Sequence, residues 1–197
     1  MPIPNSADRI RRIAATCYQE SDEAVAIIEF LEAGNTRASE ISVCGRHIPV
    51  LLRKAMMQRL LMSVMRMHDK PGADRETLRR AFELLADHAV YASVAEKGDG
   101  ARLEAAVARW GLLTCDPALG ALRNVRDFDL AHTIPSKAGE QRPLVMEFLS
   151  VARETIRLAE DLAAGCGVCS VSLNTAREIW ARRAADYWER LIKRPSC

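Results

Sequence analysis

The sequence predicts an all-α fold, a helical bundle of six to seven helices in a single domain that spans residues 1–197. Apolar residues recur along most of the chain at steps of three and four, which is the helical period. Aromatic residues make up only 5% of the chain, whereas Ala, Leu, Glu and Arg are frequent, and this composition favours helix over sheet. Short breaks with Gly, Pro or Asp separate the periodic segments. One core is the economical arrangement for a chain of this length.

The first predicted helix covers about residues 6–33, and the Gly-Asn pair that follows is expected to end it. The segment 40–47 fits a loop and a short extended piece equally well, so both alternatives stay open. A second helix covers about residues 49–68, because a proline suits its first turn and the apolar period continues from there.

Capping residues mark the start of several later helices. Asp74 is the expected cap of a third helix, which the Gly-Asp-Gly turn at 98–100 ends. Asp116 precedes a proline and is expected to cap the helix after it, and either Ser172 or Asn174 caps the last one. The helices after the third are predicted at about 101–110, 116–133, 143–164 and 172–193.

Composition and charge argue against several classes of protein. The formal net charge is only +2, so a strong whole-molecule attraction to nucleic acid is not expected, and any basic patch is local. No window approaches the roughly 20 apolar residues of a membrane span. The N-terminus lacks the charged start and apolar run of a secretory signal, so we expect a cytoplasmic protein without a membrane partner.

Six cysteines are spread along the chain, and Cys166 and Cys169 form the one close pair. A structural zinc site needs four ligands, and no second pair stands at a useful spacing. A redox pair of this spacing normally opens a helix after a strand, and no strand is predicted. Two loop thiols are the expectation, with neither a metal nor a cofactor, and a thiol-redox or metal role is the alternative.

The segment 122–132, with the sequence Leu-Arg-Asn-Val-Arg-Asp-Phe-Asp-Leu-Ala-His, carries the most chemical information. On an ideal helix, Arg126 and His132 are roughly 120° apart around the axis and about 9 Å apart along it. Asp129 lies three residues from each and can bridge them. A carboxylate on one imidazole nitrogen fixes which nitrogen is free for proton transfer.

An arginine near a histidine suits cleavage of a phosphodiester without a metal. Imidazole moves protons near neutral pH, and guanidinium binds a phosphate with two parallel hydrogen bonds. RNA supplies its own nucleophile, the 2′-hydroxyl. The alternative is an exposed helix face on which Arg123–Asp127 and Arg126–Asp129 form ordinary helical ion pairs.

At these residues the chain resembles the HEPN superfamily (higher eukaryotes and prokaryotes nucleotide-binding), all-helical proteins with an arginine followed four to six residues later by a histidine. The local sequence is most similar to the abortive-infection, AbiU-type branch. The resemblance extends over most of the chain, and its specific part is the segment 122–132.

The resemblance implies a homodimer in which two Arg–His motifs meet in one cleft, and a metal-independent endoribonuclease that acts on RNA as a toxin or in phage defence. It implies that His132 is the acid–base residue, Arg126 the phosphate-binding residue and Asp127 a polar helper. Arg123 and Asn124 are the expected substrate-binding residues, and an antitoxin protein is an expected partner. Other members of the superfamily are non-catalytic and bind a nucleotide, RNA or a protein, and this is the alternative function.

Side chains outside the motif have simpler expected roles. Each of His47, His68 and His88 is expected at the surface or packed in the interior. The methionines of the second helix are expected in the core or at a contact between helices, including a dimer contact. The last helix interleaves basic and aromatic residues, which are expected to be solvated and packed inward respectively, with single-stranded RNA binding as the alternative.

Overall fold

The computed structural model of the chain describes residues 6–37, 47–70, 76–127, 145–169 and 171–193. That part of the chain contains no strand, which confirms the all-helical class, and it contains more helices than the predicted six to seven. The eight helices are α1 (Ser6–Thr36), α2 (His47–Met67), α3 (Leu78–Leu85), α4 (His88–Ala95), α5 (Gly100–Thr114), α6 (Pro117–Asn124), α7 (Val145–Gly165) and α8 (Leu173–Ile192).

The predicted third helix is two helices, α3 and α4, and this accounts for the higher count. The Asp87 carboxylate accepts hydrogen bonds from the backbone N–H groups of Ala89 at 2.9 Å and Val90 at 3.4 Å. Asp87 has extended backbone angles and therefore starts a new helix instead of continuing α3. The apolar period continues across this break, so periodicity alone does not reveal it.

The caps were predicted with mixed success. Asp116 caps α6, because its carboxylate accepts from Ala118 N at 2.8 Å, and Ser172 caps α8 by accepting from Asn174 N at 3.1 Å. Thr77 caps α3, and its hydroxyl accepts from the backbone of Arg80. The predicted cap Asp74 lies outside the described residues.

Helix α1 continues past Gly34 to Thr36, so the prediction that Gly34 ends it is wrong. Gly34 is instead a point of close packing against α8. A Cβ on Gly34 would lie 2.7 Å from Cζ2 of Trp188, whose ring nitrogen donates a hydrogen bond to the Phe30 carbonyl at 3.0 Å. The missing side chain at Gly34 makes room for the tryptophan.

Buried apolar side chains from all eight helices form one cluster, and α1 runs through its middle. Helix α1 packs against α2, α3, α4, α7 and α8, and α5 packs along α7. Fully burying one such aliphatic side chain contributes about 1.5–3 kcal/mol. The largest fully buried side chains include Ile10, Ile13, Leu60, Leu103, Leu119, Leu158 and Leu162.

Most of the aromatic and methionine side chains are packed as predicted. Trp188 is buried, and Trp180 is partly buried against the core. Met65 and Met67 of α2 are buried, whereas Met62 is 42% exposed. In the described part of the chain, no helix is both long and apolar enough to cross a membrane.

The turn between α4 and α5 lies directly against the turn between α7 and α8. A Cβ on Gly98 would collide with the carbonyl oxygen of Gly165, and one on Gly165 would lie 2.7 Å from Leu103 Cα. Gly167 has a φ of 68°, which side chains rarely adopt, and it also faces the backbone of Lys97. Glycine at these positions lets the two backbones touch.

Candidate functional site

A groove of about 900 Å³ lies between α1 and α2, and Arg126 forms part of its wall. We call it the α1–α2 groove. Its charged lining residues are Glu20, Arg59, Arg66, Asp69, Glu76 and Arg126, and its lining also includes Met62 and Met67. The predicted phosphate-binding arginine therefore borders a concave surface large enough for a small ligand or part of a chain.

Two carboxylates hold the Arg126 side chain, which is 19% exposed. Its Nε donates to Asp127 Oδ1 at 2.7 Å, and its Nη1 donates to Asp69 Oδ1. The structure gives Nη2 no hydrogen-bond partner among the described residues. One edge of the guanidinium is thus fixed by the protein, and the remaining nitrogen is the part that can meet a ligand.

Local structure on both sides explains how Arg126 reaches this position. Helix α6 ends at Asn124, and residues 125–127 continue it as a π-helical turn. Helix α2 ends at Met67, and Asp69 follows in a turn in which its backbone N–H donates to the Arg66 carbonyl at 3.3 Å. The ends of two helices therefore meet at the Arg126–Asp69 ion pair.

The π-helical turn corrects the geometry expected from the sequence. The predicted α-helix over 116–133 departs from α-helical geometry after Asn124, so a rotation of about 100° per residue does not apply at residues 125–127. Single π-helical turns inside helices are frequent at functional sites.

Hydrogen bonds keep the Arg126 guanidinium charged. Burial on its own lowers the pKa of Arg126, but the hydrogen bonds to Asp127 and Asp69 outweigh it and raise the pKa above its ordinary value. The side chain is therefore a permanent cation at the groove wall. Its charge also offsets that of Asp127, the negative residue that the sequence places beside the expected phosphate.

The other arginines of the α1–α2 groove are paired as well. Arg59 donates to both carboxylate oxygens of Glu23, at 2.8 and 2.6 Å, and these bonds lower the pKa of Glu23. Arg66 lies 3.3 Å from Glu20. The described lining of the groove therefore presents both positive and negative charges, and three of its residues are arginines.

The structure separates the two arginines of the predicted motif. Arg126 lines the α1–α2 groove, whereas Arg123 lines a second groove of about 390 Å³, which we call the Trp110 groove. Asn124 is exposed at the end of α6. The remaining predicted residues, Asp129 and His132, lie outside the described residues.

The described residues that line the Trp110 groove are Arg79, Phe82, Glu83, Trp110, Thr114 and Arg123.

Asp69 is a candidate site residue that sequence reasoning missed. It lies 57 positions from Arg126, and the sequence offers no spacing that links the two.

His68, the residue before Asp69, is buried. The sequence predicts either a surface position or an interior position for this histidine, and the interior position is confirmed. His68 Nε2 lies 3.0 Å from the Thr155 hydroxyl, which itself donates to the Val151 carbonyl at 2.8 Å.

These bonds define the state of the His68 ring. Because the Thr155 hydroxyl already donates its proton, Nε2 of His68 is the protonated nitrogen, and Nδ1 is a buried acceptor that has no partner in the part of the chain that the structure describes. Burial, together with the nearby Arg123 charge, lowers the pKa of His68 to about 3. The ring is neutral and stacks on Trp110, with the ring centroids 5.8 Å apart.

The cysteine pair has the properties of packed or loop thiols. Cys166 is buried, and burial raises its pKa to about 12. Burial also raises the pKa of the partly buried Cys169. Reactive thiols need the opposite shift, so both groups are poor nucleophiles. Among the described residues, no group of three or more His, Cys, Asp and Glu side chains is placed to hold a metal.

Comparisons of this chain with protein-family models, with curated proteins and with solved structures found no match.

Proposed function

We propose that the chain is a metal-independent endoribonuclease of the toxin or phage-defence type, with Arg126 and His132 at its active site. The observation that supports this proposal is the position of Arg126, which is held charged at the wall of a large groove. Two features of the sequence also support the proposal. They are the spacing of Arg126 and His132 and the resemblance of segment 122–132 to the HEPN superfamily.

In the proposed reaction, the RNA 2′-oxygen attacks the adjacent phosphorus as an imidazole of His132 accepts the 2′-hydroxyl proton. The bond from phosphorus to the 5′-oxygen breaks, and that oxygen receives a proton. The products are a 2′,3′-cyclic phosphate and a 5′-hydroxyl. Arg126 stabilises the charge on the phosphate oxygens through the guanidinium nitrogen that the carboxylates leave available.

The proposed active form is a homodimer. Two copies of the motif across a two-fold axis supply two imidazoles, one to accept and one to donate a proton. Met62, which lines the α1–α2 groove and is 42% exposed, provides apolar surface at its edge. An antitoxin protein that covers the groove is a further proposed partner. Light scattering tests the dimer, and a monomer at micromolar concentration would contradict a shared cleft.

Cleavage of varied RNA in EDTA tests the activity. We expect the wild type to cleave, and Arg126→Ala and His132→Ala each to lower the rate at least about 100-fold. Arg109→Ala is the matched control, because Arg109 is also held by two carboxylates, Glu154 at 2.6 Å and Asp161 at 3.2 Å. Absence of cleavage by dimeric wild type contradicts the proposal. Activity that survives His132→Ala contradicts the site.

The second candidate is a non-catalytic helical module that binds a nucleotide, RNA or a protein at the same groove. The ion pairs favour it, because Arg126 already has two carboxylate partners and the groove charges are balanced. A fluorescent single-stranded RNA separates the two candidates. Binding without cleavage, weakened by Arg126→Ala, supports the module, whereas cleavage supports the enzyme.

A further inference from the structure

The Trp110 groove differs from the α1–α2 groove in its charge balance. Arg123 has no carboxylate partner among the described residues. In contrast, each of the other arginines that line the α1–α2 groove or the Trp110 groove lies within an ion pair. These paired arginines are Arg59, Arg66, Arg79 and Arg126.

The surroundings of Arg123 do not compensate its charge. The buried His68 is neutral, and after burial the charge of Arg123 is the second cause that lowers the pKa of this ring. Among the described residues, Glu83 is the one acidic residue that lines the Trp110 groove, and it is shared by Arg79 at 3.6 Å and Arg80 at 3.3 Å. The groove therefore carries an excess of positive charge beside Trp110.

The two grooves border the same short helix. Arg123 and Arg126 lie three residues apart, and one lines each groove. Because the two side chains start three residues apart in the chain, a strand that binds in one groove has the other groove close by. A guanidinium recognises a phosphate through parallel N–H bonds, and an arginine without a carboxylate partner can form them without first losing an ion pair.

We infer that the Trp110 groove binds a backbone phosphate of single-stranded RNA, next to the phosphate held at Arg126. This inference rests on the proposed function and adds to it a second contact that positions the strand. The Trp110 groove has a volume of about 390 Å³, which falls within the range of small-ligand pockets and is sufficient for one nucleotide. Arg123 and Arg79 supply the charge.

Binding of a fluorescent hexauridine with 2′-O-methyl groups tests the inference, because this probe lacks the nucleophile and stays intact in either case. We expect Arg123→Ala to weaken binding about tenfold and to lower the slope of log Kd against log salt by about 0.7. Arg79→Ala is expected to act in the same direction. Arg80→Ala is the matched control, since Arg80 shares Glu83 but lies outside the groove lining.

The binding and cleavage results together distinguish a failure of this inference from a failure of the proposed activity. Unchanged affinity and salt dependence in correctly folded Arg123→Ala, or no binding by the wild type, overturns the inference. Displacement of the probe by an acidic peptide as effective as unlabelled RNA overturns the assignment to RNA. Cleavage of RNA together with Arg123-independent binding refutes only this inference. Arg123-dependent binding without any cleavage refutes only the proposed activity.

Discussion

The neutral, buried His68 predicts a specific dependence of stability on pH. Its pKa is lowered from 6.5 to about 3 in the folded chain, so the unfolded chain binds a proton at pH values where the folded chain does not. The free energy of unfolding therefore rises with pH across this window. The contribution of His68 is complete above pH 6.5 and is lost progressively as the pH falls toward 3.

The size of the effect follows from the same two values. Between pH 7.5 and pH 5.5 the folded ring stays neutral while the unfolded ring becomes about 90% protonated. The wild type is then expected to lose about 1.4 kcal/mol of unfolding free energy through this one group. A loss of this size is a large part of the stability of a typical domain.

Urea unfolding at a series of pH values measures the effect. His68→Gln, whose amide can still donate to Thr155, removes the titrating ring, and the contribution of about 1.4 kcal/mol is expected to disappear. His88→Gln is the control, because it removes an exposed histidine. Both substitutions leave every carboxylate in place, so the difference between the wild type and each variant isolates the contribution of the histidine. Parallel curves for the wild type and His68→Gln between pH 7.5 and 5.5 would refute a buried neutral ring.

Three further predictions concern packing and reactivity. Gly98→Ala is expected to lower the free energy of unfolding by roughly 2 kcal/mol or more, as at other overpacked sites, and urea unfolding measures this change. Gly100→Ala is the control, because a Cβ there meets no atom within 4 Å and the variant is expected to be as stable as the wild type or more stable. Trp188→Phe loses the hydrogen bond to α1 and is expected to lower the melting temperature, and an unchanged value would contradict that bond. Mass-spectrometric mapping after brief alkylation at pH 8 is expected to find the exposed Cys115 labelled and the buried Cys17, whose pKa is raised to about 12, protected.

The parts of the fold that depend on local signals were predictable. The caps Asp116 and Ser172 act through backbone N–H groups two residues away, so their sequence context is sufficient. The break at Asp87 was missed because the apolar residues keep their period across it. Gly34 was misinterpreted as a helix end because its close contact is with Trp188, 154 positions away, and such a contact has no local signature.

The candidate site was predictable only in part, for a similar reason. Arg126 stands out in the sequence because of its motif, and the structure places it in a groove wall. Asp69, which holds it, comes from the turn after α2 and has no local signature. The π-helical turn at 125–127 was also unpredictable, because a helical period does not distinguish one extra residue per turn. The predictions for His132 and Asp129 concern residues outside the described part of the chain.

The touching backbones at Gly98 and Gly165 give a way to recognise distant relatives of this chain. A side chain at either position displaces a backbone segment, so a sequence with this fold is expected to keep glycine at both places even after its surface has diverged. Gly167, with its positive φ, adds a third fixed position two residues later. Three glycines at these separations in an all-helical sequence form a search pattern that does not depend on the Arg–His motif.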